Sequence, residues 1–398
     1  MDNHIFGSPA SPLLICSRFM PAGVVVDAGF YKDFFMKYSM LCCAVGMAFL
    51  SNAAIASPKI SGEIQLEALQ QSTDVVSRSL NSGRVTYPED LYKRPTLEGA
   101  GEIKFSASQK LNDDLTTRYS LTYLVGVADD GRTNFRSGTT YISLDHKDYG
   151  RLRFGRMTTP EDELVDVGVA KSGWLYGVGK PFTNSGFKTN NTVQYYSPYF
   201  MESKDGRTRV KLHYAMDENN SSVTGLRLYK DDGSNVRENK KRDVFVAQIL
   251  HSGKIDWGFA YTQAGSDLKA ISGMARYNAD DWSAALAVRQ ADYGTGKDET
   301  GAFGSLIYSL QRDWAVYGQA GYVKNYAGQG FNIKDTDYLV GALGVSKDFR
   351  LASGRATVYA ETALEKIDFI APNSSETRLS SDRKEEVLGF ATGIEFKF

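Results

Sequence analysis

Cysteine is nearly absent from this chain. Its 398 residues hold three, Cys16, Cys42 and Cys43, and no cysteine follows. A segment without thiols can cross an oxidising compartment unfolded with nothing to mispair. Proline is also scarce, 10 residues against 38 glycines, and 4 tryptophans stand beside 23 tyrosines and 21 phenylalanines. A chain rich in Tyr and Gly and poor in Pro suits many β-strands joined by tight turns. The net charge is −1, with no basic or acidic tail, which gives nucleic acid no bulk electrostatic attraction. After Ser57 no apolar run approaches the roughly 18–20 residues of a membrane-spanning helix. If this part of the chain lies in a membrane it must be a closed barrel, because only helices and barrels satisfy every backbone group in lipid.

The N-terminal region has its own logic. From Met36 the sequence reads MKYSMLCCAVGMAFLSNAAIAS. Lys37 supplies a positive start, 41–50 is apolar, and Ala54-Ile55-Ala56 is a small-x-small cleavage pattern. This reads as a secretory signal over 36–56, cut between Ala56 and Ser57, with an exported chain at 57–398. Residues 1–35 show neither periodicity nor a targeting pattern and read as an upstream extension, with Met36 a candidate initiator.

The exported part repeats one pattern. At the C-terminus Leu388, Phe390, Thr392, Ile394, Phe396 and Phe398 share one face, and Gly389, Ala391, Gly393, Glu395 and Lys397 the other. That is the period of a strand with an apolar and a polar side. Sixteen such segments can be drawn, at 59–70, 97–109, 116–127, 139–147, 150–156, 191–199, 207–216, 243–252, 254–264, 267–278, 281–292, 301–311, 313–325, 336–348, 355–369 and 386–398. Short connections alternate with long polar ones at 71–95, 128–138, 157–190, 217–242, 293–300, 326–335 and 370–385, with one tight turn, Gly265-Ser266, where a long loop was due. Alternating short turns and long loops, strands near the 9–11 residues that span a tilted bilayer, and aromatics near strand ends (Trp257, Trp282, Trp314, Tyr322) describe an all-β, 16-stranded antiparallel transmembrane barrel.

Catalytic patterns are missing from the exported part. Its histidines are His146, His213 and His251, and no Gly-x-Ser-x-Gly, His-Glu-x-x-His or Cys/His metal cluster occurs. Asp129-Asp130-Gly131 and Asp231-Asp232-Gly233 lack calcium-loop spacing and read as turns. No catalytic residue, metal or cofactor is therefore assigned. A barrel of sixteen strands leaves an aqueous lumen, which favours transport. A substrate-specific channel remains the main alternative, with Tyr141, Tyr196 and Tyr359 as lumenal aromatics, and a barrel enzyme or adhesin the lesser one.

Three stretches carry a family resemblance: Tyr149-Gly-Arg-Leu-Arg-Phe-Gly-Arg156, Asn191-Thr-Val-Gln-Tyr-Tyr-Ser-Pro198 and Gly393-Ile-Glu-Phe-Lys-Phe398. In this order they resemble the trimeric general porins of Gram-negative bacteria, of the neisserial and proteobacterial type. The resemblance implies an outer-membrane homotrimer that passes ions and small hydrophilic solutes passively. It also implies contact with outer-membrane lipid and lipopolysaccharide, and a C-terminal signal, Phe396 and Phe398, read by the barrel-assembly machinery. It implies too that the third long loop, 157–190, folds into the lumen. There Glu161, Asp162, Glu163 and Asp166 would face basic wall residues Lys104, Arg118, Arg153 and Lys211, and such charges set ion preference. The chain departs from the enterobacterial pattern at two points. Pro160-Glu161 is followed by Asp162 rather than an aromatic-Gly pair, and Thr139 stands where a wall arginine is expected.

Overall fold

In the computed structural model the described residues are 58–79, 85–86, 91–92, 95–127, 135–172, 181–182, 185–203, 206–218, 242–265, 268–294, 296–327, 332–372 and 379–398. The signal segment and its cleavage residues, Ala56 and Ser57, lie outside them.

Alternation along the chain becomes one closed antiparallel sheet. Among the described residues its sixteen long strands are β1 (Lys59–Ser79), β2 (Thr96–Lys110), β3 (Leu115–Gly126), β4 (Phe135–His146), β5 (Gly150–Thr158), β6 (Lys188–Tyr196), β7 (Gly206–Glu218) and β8 (Arg242–Gly253), then β9 (Ile255–Ala264), β10 (Leu268–Asn278), β11 (Trp282–Asp292), β12 (Asp298–Ser309), β13 (Trp314–Lys324), β14 (Asn332–Leu351), β15 (Gly354–Pro372) and β16 (Leu379–Lys397). A single helical turn, α1 (Asp162–Val165), follows β5. Each strand pairs with its sequence neighbours, and β1 pairs with both β2 and β16, which closes the barrel. Closure leaves no sheet edge to satisfy. Short pieces at Val85–Thr86 and Leu91–Tyr92 pair with β1, and Phe200–Ser203 with β7.

The two faces separate as the period demands. Ile60, Leu97, Ile142, Phe259, Ile271, Leu286, Leu343 and Phe390 are exposed on the outer face. A soluble domain would bury such a band; here it is the surface that meets lipid. Trp282, Trp314 and Tyr322 are exposed near strand ends, at the level of an aromatic girdle.

Glycine is needed where the chain turns tightly. Gly150 opens β5 at φ +86°, and an added Cβ would lie 2.1 Å from the Tyr196 carbonyl oxygen. The Tyr149-Gly150 step of the resemblance motif is therefore a steric requirement of this hairpin.

Four strands exceed the sequence expectation. β1, β14, β15 and β16 run to 21, 20, 19 and 19 residues, whereas β5 and β6 have 9 each. Segments placed in long loops, at 71–79, 370–372 and 379–385, instead continue the ladder. Strict apolar–polar alternation lapses in these stretches, as in Gln71-Ser-Thr-Asp74 and Ser380-Ser-Asp-Arg-Lys384, while pairing persists. Cross-strand ion pairs Lys366–Glu386 (2.8 Å) and Lys384–Asp368 (3.1 Å) join β15 to β16 in this region.

Candidate functional site: a tethered loop and a basic wall

Segment 159–172 leaves β5, yet its polar contacts are with inner-face side chains of distant strands. Gln248 of β8 donates to the Pro160 carbonyl oxygen at 2.8 Å. Ser305 of β12 donates to the Val167 carbonyl oxygen. Gln319 of β13 accepts from the backbone N–H groups of Val169 and Ala170 at 2.7 and 3.0 Å. Glu361 of β15 accepts from those of Lys171 and Ser172, both at 2.8 Å, and from the Tyr317 hydroxyl at 2.9 Å. Ser172 donates to Glu67 of β1 at 3.0 Å, and Gln65 donates to the Lys171 carbonyl oxygen at 2.8 Å. Around α1 the backbone of the segment bonds to itself, and from Val167 to Ser172 side chains of the wall partner it.

The apolar side of the segment has a matching bed. Leu164, Val165, Val167, Phe182 and Phe187 are buried in one cluster with Ala260, Ala264, Ala270, Ala287 and Ala291 on the inner faces of β9, β10 and β11. Close approach requires these residues to be small. A Cβ added to Gly258 would sit 2.6 Å from Leu164 Cδ2, and one added to Gly301 would sit 3.0 Å from Phe182 Cε1.

Of the four acidic residues expected at the constriction, Glu161 has a different place. It is 0% exposed, and it accepts from Thr262 Oγ1 at 2.9 Å, from Ser272 Oγ and from Arg289 Nε at 2.9 Å. Arg289 also bonds Glu299 at 3.1 Å. Glu161 therefore does not face open water. It is a buried anchor, because the turn into α1 directs its side chain at the arginine of β11. Asp162 is half-buried beside Gly186, whose φ of +64° and missing Cβ leave room for the carboxylate. Glu163 is 44% exposed at its side chain and pairs with Lys211, whose own side chain is fully buried. Asp166 is exposed.

The expected basic residues all lie on inner faces of β2 to β7. Lys104 is opposite Thr122, and Arg118 is opposite Ser143, which is opposite Arg153. Lys211 is opposite Tyr196. The structure adds Arg151 and Arg209, which the expected wall omitted although alternation gives them the same face. Asp145 holds Arg118 at 2.7 Å and Arg151 at 2.9 Å. Arg153 lies between two rings, 4.5 Å from the centroids of both Tyr141 and Tyr196, and donates to the Tyr196 hydroxyl at 3.0 Å. Tyr196 passes a hydrogen bond to Gln194 at 3.0 Å, and Gln194 contacts His213 at 3.2 Å. His213 is buried and reaches Thr189 at 2.9 Å, so this histidine belongs to the wall's polar network.

At the C-terminus Phe398 completes the seam. Its N–H donates to the Gly62 carbonyl oxygen at 3.0 Å, and Gly62 N–H donates back at 2.9 Å. The Phe396 and Phe398 rings stack at 5.9 Å. A Cβ on Gly62 would meet the Phe398 ring at 2.6 Å.

Comparison with known proteins agrees with this architecture. No curated protein matches the chain. Among solved structures, the anion-selective porin from Comamonas acidovorans is 15% identical, with a TM-score of 0.54 over 85% of this chain and 100% of that one. The OmpF of Salmonella typhi, in a complex with daunomycin, is 12% identical, with a TM-score of 0.52 over 86% and 97%. OmpT of Vibrio cholerae, in a trimer form, is 14% identical, with a TM-score of 0.52 over 85% and 99%. At such identities these likenesses speak for the fold alone. The family model described as Gram-negative porin matches residues 40–368. Family and fold are those of a channel. The chain therefore belongs to the Gram-negative porin family, as an outer-membrane β-barrel channel for passive diffusion.

Proposed function

We propose that segment 159–172 forms the constriction of this porin and that the passage past it favours small anions. One observation carries the reading. Arg153 and Arg209 have no carboxylate partner among the described residues, while Glu161 is withdrawn from the lumen by Arg289 and Glu163 is matched by Lys211. The uncompensated charge on the β5–β7 side is positive. Opposite charges across a water-filled gap orient dipolar solutes, and the surplus sets ion preference. In this reading Asp162, Glu163 and Asp166 form the acidic side of the eyelet, and Lys104, Arg118, Arg153 and Lys211, with Arg209, the basic side. The chain conducts solutes rather than transforming them, and the buried bonding of His213 supports that.

Other parts of the proposal rest on the sequence and the family. Residues 36–56 are a secretory signal cut after Ala56, residues 1–35 an upstream extension, and 57–398 the barrel. The functional unit is a homotrimer, as in the trimer form of the Vibrio cholerae protein, embedded in outer-membrane lipid and lipopolysaccharide. Phe396 and Phe398 are the signal read by the assembly machinery.

Zero-current potentials in a tenfold KCl gradient test the ion preference. The wild-type channel is expected to show the sign of chloride preference. R153Q/R209Q should move the potential towards cations, and D166N further towards anions. A wild-type potential of cation sign contradicts the reading.

A further inference from the structure

Along the inner wall, from β4 to β7, rings and cations alternate. Tyr141, Arg153, Tyr196, Arg209, Tyr199 and Arg207 follow one another, each guanidinium carbon 4.1 to 5.3 Å from the ring centroids beside it. Strand order explains the sequence of partners: Tyr141 is opposite Gly155 on β5, Arg151 is opposite Tyr196 on β6, and Tyr196 is opposite Lys211 on β7.

We infer that Arg153 and Arg209, steered by Tyr196, form a binding subsite for carboxylate-bearing solutes within the pore. This deepens the anion-preferring reading above and rests on it. A guanidinium caught between two rings cannot turn out of its plane, so its hydrogens point in fixed directions. Nη1 is committed to the Tyr196 hydroxyl. Nε is buried with no acceptor, and no carboxylate among the described residues partners Arg153 or Arg209. The two guanidinium groups share the Tyr196 ring. With Nη1 committed and Nε buried, Nη2 is the donor such a held guanidinium can turn to a solute, and a carboxylate oxygen accepts that charge-assisted hydrogen bond in its fixed direction, whereas a halide answers to the charge alone. A dicarboxylate can reach both arginines. Lysine in either place would keep the charge and lose the fixed direction of the donor.

The test adds succinate to the trimer conducting chloride in a planar bilayer and measures half-block together with the zero-current potential. Wild type is expected to show saturable block. R153K and R209K should each raise the half-blocking concentration about tenfold, the loss of one charge-assisted hydrogen bond. Y196L, which removes the steering ring, should raise it as well, and Y196F should do so less. Equal block in wild type, R153K and R209K overturns the subsite, because charge alone then suffices. No saturable block in wild type, with chloride preference intact, also overturns it and leaves the proposed function standing. A wild-type potential of cation sign removes the underlying reading and the subsite with it.

Discussion

Replacing Glu161 by alanine is expected to destabilise the tethered loop by about 3–5 kcal/mol, the effect of stripping one partner from a buried ion pair. Arg289 would keep Glu299 but lose the carboxylate that faces it from the residue preceding α1. Thr262 and Ser272 would lose their acceptor in the same step. The loop is held elsewhere by Gln319, Glu361 and Glu67, so the barrel should still assemble. The mobile element would be the α1 end. The expected readout in a planar bilayer is a noisier channel of larger mean conductance, with an earlier loss of loop packing on heating. Asp166 makes the contrast. It is exposed, and D166N should change selectivity with stability nearly unaltered. Equal small effects of both substitutions would show that Glu161 is an ordinary loop charge.

Deleting Phe398 is expected to lower the yield of assembled barrel severely, with more effect than any single substitution on the outer face. The residue gives the seam its last pair of backbone hydrogen bonds, to Gly62, and its ring stacks on Phe396. Bonds at a barrel seam have no alternative partners once lipid surrounds them. Gly62→Val should act in the same direction, since its side chain would collide with the Phe398 ring and the Glu102 carbonyl oxygen, each 2.6 Å from an added Cβ. Heat-modifiable mobility of outer-membrane fractions would measure both. Wild-type levels of folded protein from the deletion would remove Phe398 from the assembly signal.

The strands were legible because lipid on one side and water on the other impose a period of two. Segments 254–264, 281–292 and 355–369, drawn from alternation, fall on β9, β11 and β15 within a few residues. The far ends of β1, β14, β15 and β16 were not, because strict alternation lapses in their sequence while backbone pairing continues. Tethering of the loop was also silent. Ala260, Ala270, Ala287 and Ala291 stand at inner-face positions where a polar residue was the expectation, and alanine carries no sign of what covers it. Their recurrence at alternate positions, beside Gly258 and Gly301, was the available signal. Glu161 could not be told from Asp162, Glu163 and Asp166, since the distinction comes from Arg289, 128 residues away along the chain. Tyr141 and Tyr196 read as unrelated lumenal rings until register placed Arg153 between them. Lys104, Arg118, Arg153 and Lys211 were legible as inner-face cations. Which of them carry a counter-charge was not, because Asp145 and Glu163 reach them across strands and from the loop.

The absence of cysteine after Cys43 makes the central claim directly testable, because one introduced cysteine is the only thiol of the exported chain. The claim is that the loop packs over the inner faces of β9–β11 and leaves Arg118 of β3 open to the lumen. Single variants R118C and A287C, purified as folded protein, would be exposed to a small charged thiol reagent while conductance is recorded. Both positions face inward, one half-exposed in its side chain and the other fully buried. The account predicts rapid labelling at 118 with a step down in current, and no labelling at 287 unless E161A is added. Labelling of both at equal rates in the intact protein would contradict it.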